Sequence, residues 1–217
     1  TINLSELYPV YFEYIEKAKG YINTRGKTHL GEGSETNAVQ RMMDWYGIVP
    51  AEAYEGKPSD QPYYNHEKMF GEFEAYLKNC KQINFWDEAA IISNIKSILN
   101  HYMGTPPTSF KYNGKTYTPK SFFKNVTKLD PNNYVDFMSL MQKPYWSQVE
   151  YKVPDNWWRS EAYYNVPLDE FMFAIKNAIE NGYSISIGGD VSESGYSSTY
   201  DVAMVPSYDI PSDFIDE

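Results

Sequence analysis

The residues here that could do chemistry are a strand-like run ending in glycines, one cysteine, three histidines and scattered carboxylates. In "ENGYSISIGGDVSESG", residues 180–195, Tyr183, Ile185 and Ile187 alternate with Ser184 and Ser186. That alternation predicts a strand with one buried face, running into a turn or bulge at Gly188-Gly189. A phosphate loop needs a Lys-Ser/Thr pair after its glycines, and a dinucleotide fold needs a helix opening on the third glycine. Asp190, Val191, Ser192 and Glu193 stand there instead, and they put negative charge where a phosphate would sit. Asp190, Glu193 and Asp201 could face a calcium ion, but their spacing fits no EF-hand loop. Solvated turn carboxylates are the simpler reading. Asp87-Glu88 reads as a helix start, and the run from Asp213 to Glu217 as an acidic segment. A glycosidase needs two placed carboxylates, and the sequence marks no pair out.

Cys80 sits in "YLKNCKQ", on the apolar stripe of a predicted helix and near its C-terminal end. A small buried thiol is the ordinary outcome there. A nucleophilic thiolate calls for a helix N-terminus or a histidine beside it. His29, His66 and His101 share no motif with it. A single cysteine also excludes an internal disulfide and a cysteine-based zinc site. Taken alone, the chain carries no complete catalytic constellation, and no metal or cofactor is expected.

Composition narrows the partners. Asp and Glu number 29 against 19 Lys and Arg, for a net charge of −10. A nucleic-acid face needs clustered basic residues, and these are scattered. No apolar run approaches the roughly 20 residues that span a bilayer. Thr stands at position 1, with no signal-like stretch after it, so the chain reads as processed or truncated. Compartment stays open: the sequons at Asn3 and Asn125 arise too readily by chance to place it. Aromatic residues reach 17%, including 21 Tyr. They suit either a core padded with amphipathic rings or a surface that stacks sugars or grips peptides. Their helical and strand spacing favours the core.

Several elements must position these groups. Ser5 can cap a helix with Leu7, Val10, Tyr11, Tyr14, Ile15 and Ala18 on one face. A polar loop leads to a second helix with Ala38, Val39, Met42, Met43 and Tyr46 as its stripe, stopped by Gly47. Residues 56–64 read as a linker. Two amphipathic helices follow, one through Met69, Phe73, Leu77 and Cys80, the other through Ile91, Ile95, Leu99 and Tyr102. Asn113-Gly114 signals a hairpin, and Thr118-Pro119 the cap and first residue of a short helix. Residues 129–160 read as strand and loop. Pro167 opens a last helix with Leu168, Phe171, Met172, Ile175, Ala178 and Ile179 facing inward. The strand at 183–187 and another at 200–205 complete an α+β order, with helices first and strands late.

"GEGSETNAVQRMMDWYGIVPAEAYEG" resembles the papain-like cysteine peptidases, where a Gly-Gly loop precedes a helix ending in Tyr-Gly-Ile. "LSELYPVYFEYIEKAKGYI" is similar to an element of their bleomycin hydrolase and aminopeptidase C branch. The stretch from "NHEKMFGEFEAYLKNC" to "YTPKSFFKNV" looks like that branch's helical insertion. "VPLDEFMFAIKNAIENGYSISIGGDVSESGY" resembles the unit opening the family's barrel half, and "DVAMVPSYDIPSDFIDE" is closest to bacterial relatives. The resemblance implies a partial papain-like α+β fold. Residues 1–55 would end the helical half, 56–160 form the insertion and 161–217 begin the barrel half. It implies peptide substrates and amide hydrolysis through a cysteine thiolate, with a His base, an orienting Asn and an oxyanion-hole Gln. By the family's order the Gln and Cys precede Thr1, and the His and Asn follow Glu217, so this segment alone is expected to be inactive. Gly33 and Ser34 align with the paired glycines whose backbone binds an extended substrate, and Ser34 is equally a cap candidate for the helix after it. Ile187 aligns with a wall of the main specificity pocket, with plain core packing as its other reading. Relatives include hexamers, so a homo-oligomer is compatible. Two other functions stay open: a peptide- or glycan-binding module without a nucleophile, and a glycosidase.

Overall fold

The computed structural model describes residues 2–57, 63–188 and 195–204. Its centre is a helical layer around α1 (Leu7–Asn23), which packs against α2 (Asn37–Tyr46) and α4 (Glu88–Met103). Helix α3 (Glu67–Gln82) closes the layer on α4. Each helix has a local cause. Ser5 Oγ accepts the Tyr8 N–H at 3.1 Å, satisfying a first-turn donor. Asp87 caps α4 by accepting the Ala90 N–H at 2.9 Å, the helix start read from the sequence. Helix α2 stops at Gly47, whose φ of 79° an L side chain rarely adopts. A Cβ there would also lie 2.3 Å from the Pro119 carbonyl carbon.

Rings with polar tips build much of this core, as the spacing predicted. Tyr8, Tyr11, Tyr14 and Tyr54 are buried beside Leu7, Ile15, Met69, Phe73, Leu77, Ile91, Ile95 and Leu99. Their hydroxyls find acceptors or partners: the Tyr46 carbonyl for Tyr8, Asn100 Oδ1 for Tyr11, His66 Nδ1 for Tyr14 and the Gly104 carbonyl for Tyr54. An aromatic core is tolerable only when each phenol is paired in this way. Cys80 is buried on the α3 stripe as a structural thiol.

Beyond α4 the hairpin forms as read: β1 (Phe110–Tyr112) pairs antiparallel with β2 (Lys115–Tyr117) across Asn113 and Gly114, both at positive φ. Thr118 and Ser121 then make a reciprocal capping box for α5 (Pro119–Phe122), whose Phe122 inserts into the helical core. A small sheet follows in the order β3 (Phe137–Met138), β5 (Tyr163–Asn165), β4 (Ser147–Val149). Strand β3 runs parallel to β5, and β4 antiparallel to it. Asn165 is fully buried: its amide N–H groups donate to the Leu140, Lys143 and Pro144 carbonyls, and its Oδ1 accepts the Leu140 N–H.

The last third departs from expectation. Helix α6 (Leu168–Glu180) forms after Pro167, but it buries none of its residues, and Leu168, Met172 and Ile179 are exposed. Residues 183–188 form no strand, and Tyr183 and Ile187 are exposed rather than core. The physical reason is the same for both. An alternating segment becomes a strand only when another strand takes up its N–H and C=O groups, and an apolar stripe is buried only by a facing layer. Among the described residues neither partner is present. The second late strand shrinks to β7 (Val202–Ala203), paired with β6 (Tyr196–Ser197). Val39 also leaves its predicted stripe and is exposed. Residues 58–62 of the linker, Gly189, Asp190, Glu193, position 205 and the acidic 213–217 segment lie outside the described residues.

Candidate functional site

Gly33 and Ser34 lie on the loop between α1 and α2, and side chains of α1 hold that loop from beneath. Glu13 and Lys17 are one helical turn apart and both buried, at 7% and 1% exposure. The Lys17 ammonium donates to the Gly31 carbonyl at 2.9 Å and to the Gly33 carbonyl at 2.5 Å. Ser34 Oγ donates to Glu13 Oε1 at 2.8 Å. It therefore does not cap α2, whose first turn begins after Thr36 with no side-chain cap. In contrast, the Gly33 N–H and the Ser34 N–H and C=O enter no hydrogen bond among the described residues.

A second segment clamps the same groups. Trp158 Nε1 donates to both Glu13 oxygens, at 2.9 and 3.1 Å. The Arg41 guanidinium of α2 lies 4.6 Å from the Trp158 ring centroid and 5.7 Å from that of Trp45. Trp157 donates to the His29 carbonyl at 3.2 Å, pinning the start of the loop. Glu35 N–H donates to the Asp155 carbonyl at 2.9 Å, and a Cβ on Gly33 would fall 2.6 Å from an Asp155 carboxylate oxygen. A side chain at 33 would therefore displace the exposed Asp155 carboxylate. Asn156 shapes the clamping turn by donating to the Tyr151 and Ser160 carbonyls. Asn37 donates to the Tyr163 hydroxyl at 2.7 Å, tying α2 to β5.

Electrostatics follow from burial. Desolvation raises the Glu13 carboxyl above its ordinary value, opposed by the hydrogen bonds from Ser34 and Trp158 and by the charges of Lys17 and Arg41. Desolvation lowers Lys17, opposed by the charges of Glu13 and Asp155. Each group has its burial offset by hydrogen bonds as well as by nearby opposite charge.

Ile187, the third residue singled out in the sequence, is 68% exposed on the unpaired 183–188 segment. Its core-packing reading does not hold. Among the described residues no cluster of His, Cys, Asp and Glu could hold a metal ion, and no helix is long and apolar enough to cross a membrane. Glu13, Lys17, Arg41, Asp155 and Trp158 belong to no motif or spacing that marks them as site residues. A Glu and a Lys at i, i+4 usually mark a solvated helix face.

Residues 27–214 match the model of the Peptidase C1-like family. Aminopeptidase C of Lactobacillus delbrueckii subsp. lactis is 26% identical over 192 residues, covering 77% of this chain and 43% of that protein. The crystal structure of PepW from Lactobacillus rhamnosis is similar in fold, with a TM-score of 0.66 and 17% identity, over 84% of this chain and 50% of that one. The chain therefore spans about half the length of the relatives it matches. On the extent of that match, and on the mixed helix and sheet order described above, the chain belongs to the Peptidase C1-like family and has a papain-like α+β fold.

Proposed function

We propose that this chain is the substrate-receiving part of a cysteine peptidase of the aminopeptidase C and bleomycin hydrolase type. The observation that carries the reading is the Gly33–Ser34 edge, where backbone donors and an acceptor stay open while the loop is fixed from behind. An extended peptide recognises such an edge by strand-like pairing: its own N–H and C=O meet those of the protein, whatever its side chains. Ile187, exposed and apolar, is suited to contact a substrate side chain in the specificity pocket. In the whole protein a cysteine thiolate would add to the amide carbonyl, and a histidine would protonate the departing amine. Water would then hydrolyse the thioester. The resemblance puts that Cys before Thr1 and the His and Asn after Glu217. Residues 1–55 would finish the helical half, 56–160 form the insertion and 161–217 open the barrel half, whose further strands would cover α6. No cofactor enters this chemistry.

A second reading, a peptide-binding module without a nucleophile, uses the same edge together with the half-exposed Trp45 beside Arg41. One assay separates the two. Full-length protein that hydrolyses peptide amides, and loses that activity to a thiol-directed inhibitor, supports the enzyme. Full-length protein that binds peptides without turnover supports the module.

A further inference from the structure

We infer that Glu13 and Lys17 are positioning residues for the substrate edge, and that Glu13 is what makes a serine workable at position 34. This rests on the peptide-binding reading above. Two carbonyls two residues apart, Gly31 and Gly33, converge on the single Lys17 ammonium. That commits the Gly31 and Gly33 carbonyls to α1, while the Ser34 N–H and C=O enter no hydrogen bond among the described residues.

The serine poses a problem of its own. A serine hydroxyl beside its own backbone tends to bond neighbouring N–H and C=O groups, and so competes with an incoming peptide. Here the hydroxyl proton is given to Glu13 at 2.8 Å, so it is not available to compete. Glu13 can hold that position because the Trp158 N–H bonds both of its oxygens and Arg41 covers the Trp158 ring. A buried carboxylate with a donor on each side has a fixed rotamer. The edge is thus preformed before substrate arrives, and binding does not have to order it.

The test uses the full-length protein and a fluorogenic tetrapeptide amide. Glu13→Ala should raise KM about 10-fold with kcat changed by less than about 3-fold, because the lost contacts serve ground and transition states alike. Glu13→Gln keeps an acceptor oxygen for both donors and should stay within about 3-fold of the parent. In a Ser34→Ala background, adding Glu13→Ala should raise KM by less than about 3-fold, because the hydroxyl it controls is gone. An unchanged KM in Glu13→Ala, or an equal effect in both backgrounds, overturns the inference while leaving the peptidase reading intact. A parent protein inactive on every peptide overturns that reading instead. Amide exchange then decides the positioning role: exchange of the Glu35 N–H, which donates to the Asp155 carbonyl, should quicken about 10-fold in Glu13→Ala and not in Glu13→Gln. Equal exchange in both overturns it. If Glu13→Ala does not fold, Glu13→Leu, which fills the space, takes its place in every arm.

Discussion

Gly20→Ala sets two opposing effects against each other on α1. Alanine is the better helix former by about 1 kcal/mol, so an open position would gain stability. Gly20 is not open. A Cβ there would lie 2.5 Å from two carbons of the Trp157 ring, whose indole N–H is tied to the His29 carbonyl. Comfortable carbon contacts begin near 3.5 Å, so the ring must retreat by about 1 Å. That movement costs about 1–3 kcal/mol as overpacking and puts at risk a hydrogen bond worth about 1 kcal/mol. The net expectation is a loss of about 1–3 kcal/mol, read as a lower urea midpoint by far-ultraviolet circular dichroism. In a Trp157→Ala background the obstruction is gone, and the same substitution should stabilise by about 0.5–1 kcal/mol. The sign should invert. Stabilisation of the parent by Gly20→Ala, or destabilisation in both backgrounds, would refute the contact between α1 and the Trp157 turn.

Other expectations follow from equally specific contacts. Gly47→Ala meets both a positive φ and the Pro119 backbone, so it should cost more than about 3 kcal/mol in the same assay. Cys80 should resist a thiol reagent in the native protein and react once urea unfolds it, since its sulfur lies in the core. Burial holds Glu13's carboxyl above its ordinary value, so the native state keeps that proton longer than the unfolded chain. Stability from this group is full below the usual glutamate range and is lost as pH rises through the native value. Glu13→Gln should therefore gain on the parent in urea titrations as pH rises from about 4 to about 7. Burial pushes Tyr11 and Tyr163 up to about 12, and Tyr8, Tyr14 and Tyr54 higher still. Stability tied to them is complete below about 10 and falls as pH rises through about 12, so phenolate absorbance should appear in step with loss of helix.

The helical layer was legible because each helix carries its own signal. Leu7, Tyr11, Tyr14 and Ala18 repeat at the helical period, Gly47 and Gly104 stop their helices, and Thr118-Pro119 starts one. The same logic failed at 183–188, because alternation describes a face and says nothing about whether a partner strand is present to pair with it. The apolar stripe of α6 was read correctly as a stripe and wrongly as buried, for the same cause. At the candidate site, Gly33 and Ser34 are singled out by resemblance to a family pattern. The residues that hold them could not. Glu13 and Lys17 look like any exposed i, i+4 pair, and Trp158 reaches them across 145 residues of sequence. Contacts at that separation leave no local trace in composition or spacing.

If the Gly33–Ser34 edge receives an extended peptide in a cysteine peptidase, a covalent peptide ligand must protect it. The most direct test treats full-length protein with a peptidyl electrophile, then maps the adduct and the amide exchange by mass spectrometry. A thioether should form on a cysteine other than Cys80, together with slower exchange at residues 33–35. Absence of an adduct, an adduct on Cys80, or an adduct without protection at 33–35 would contradict it.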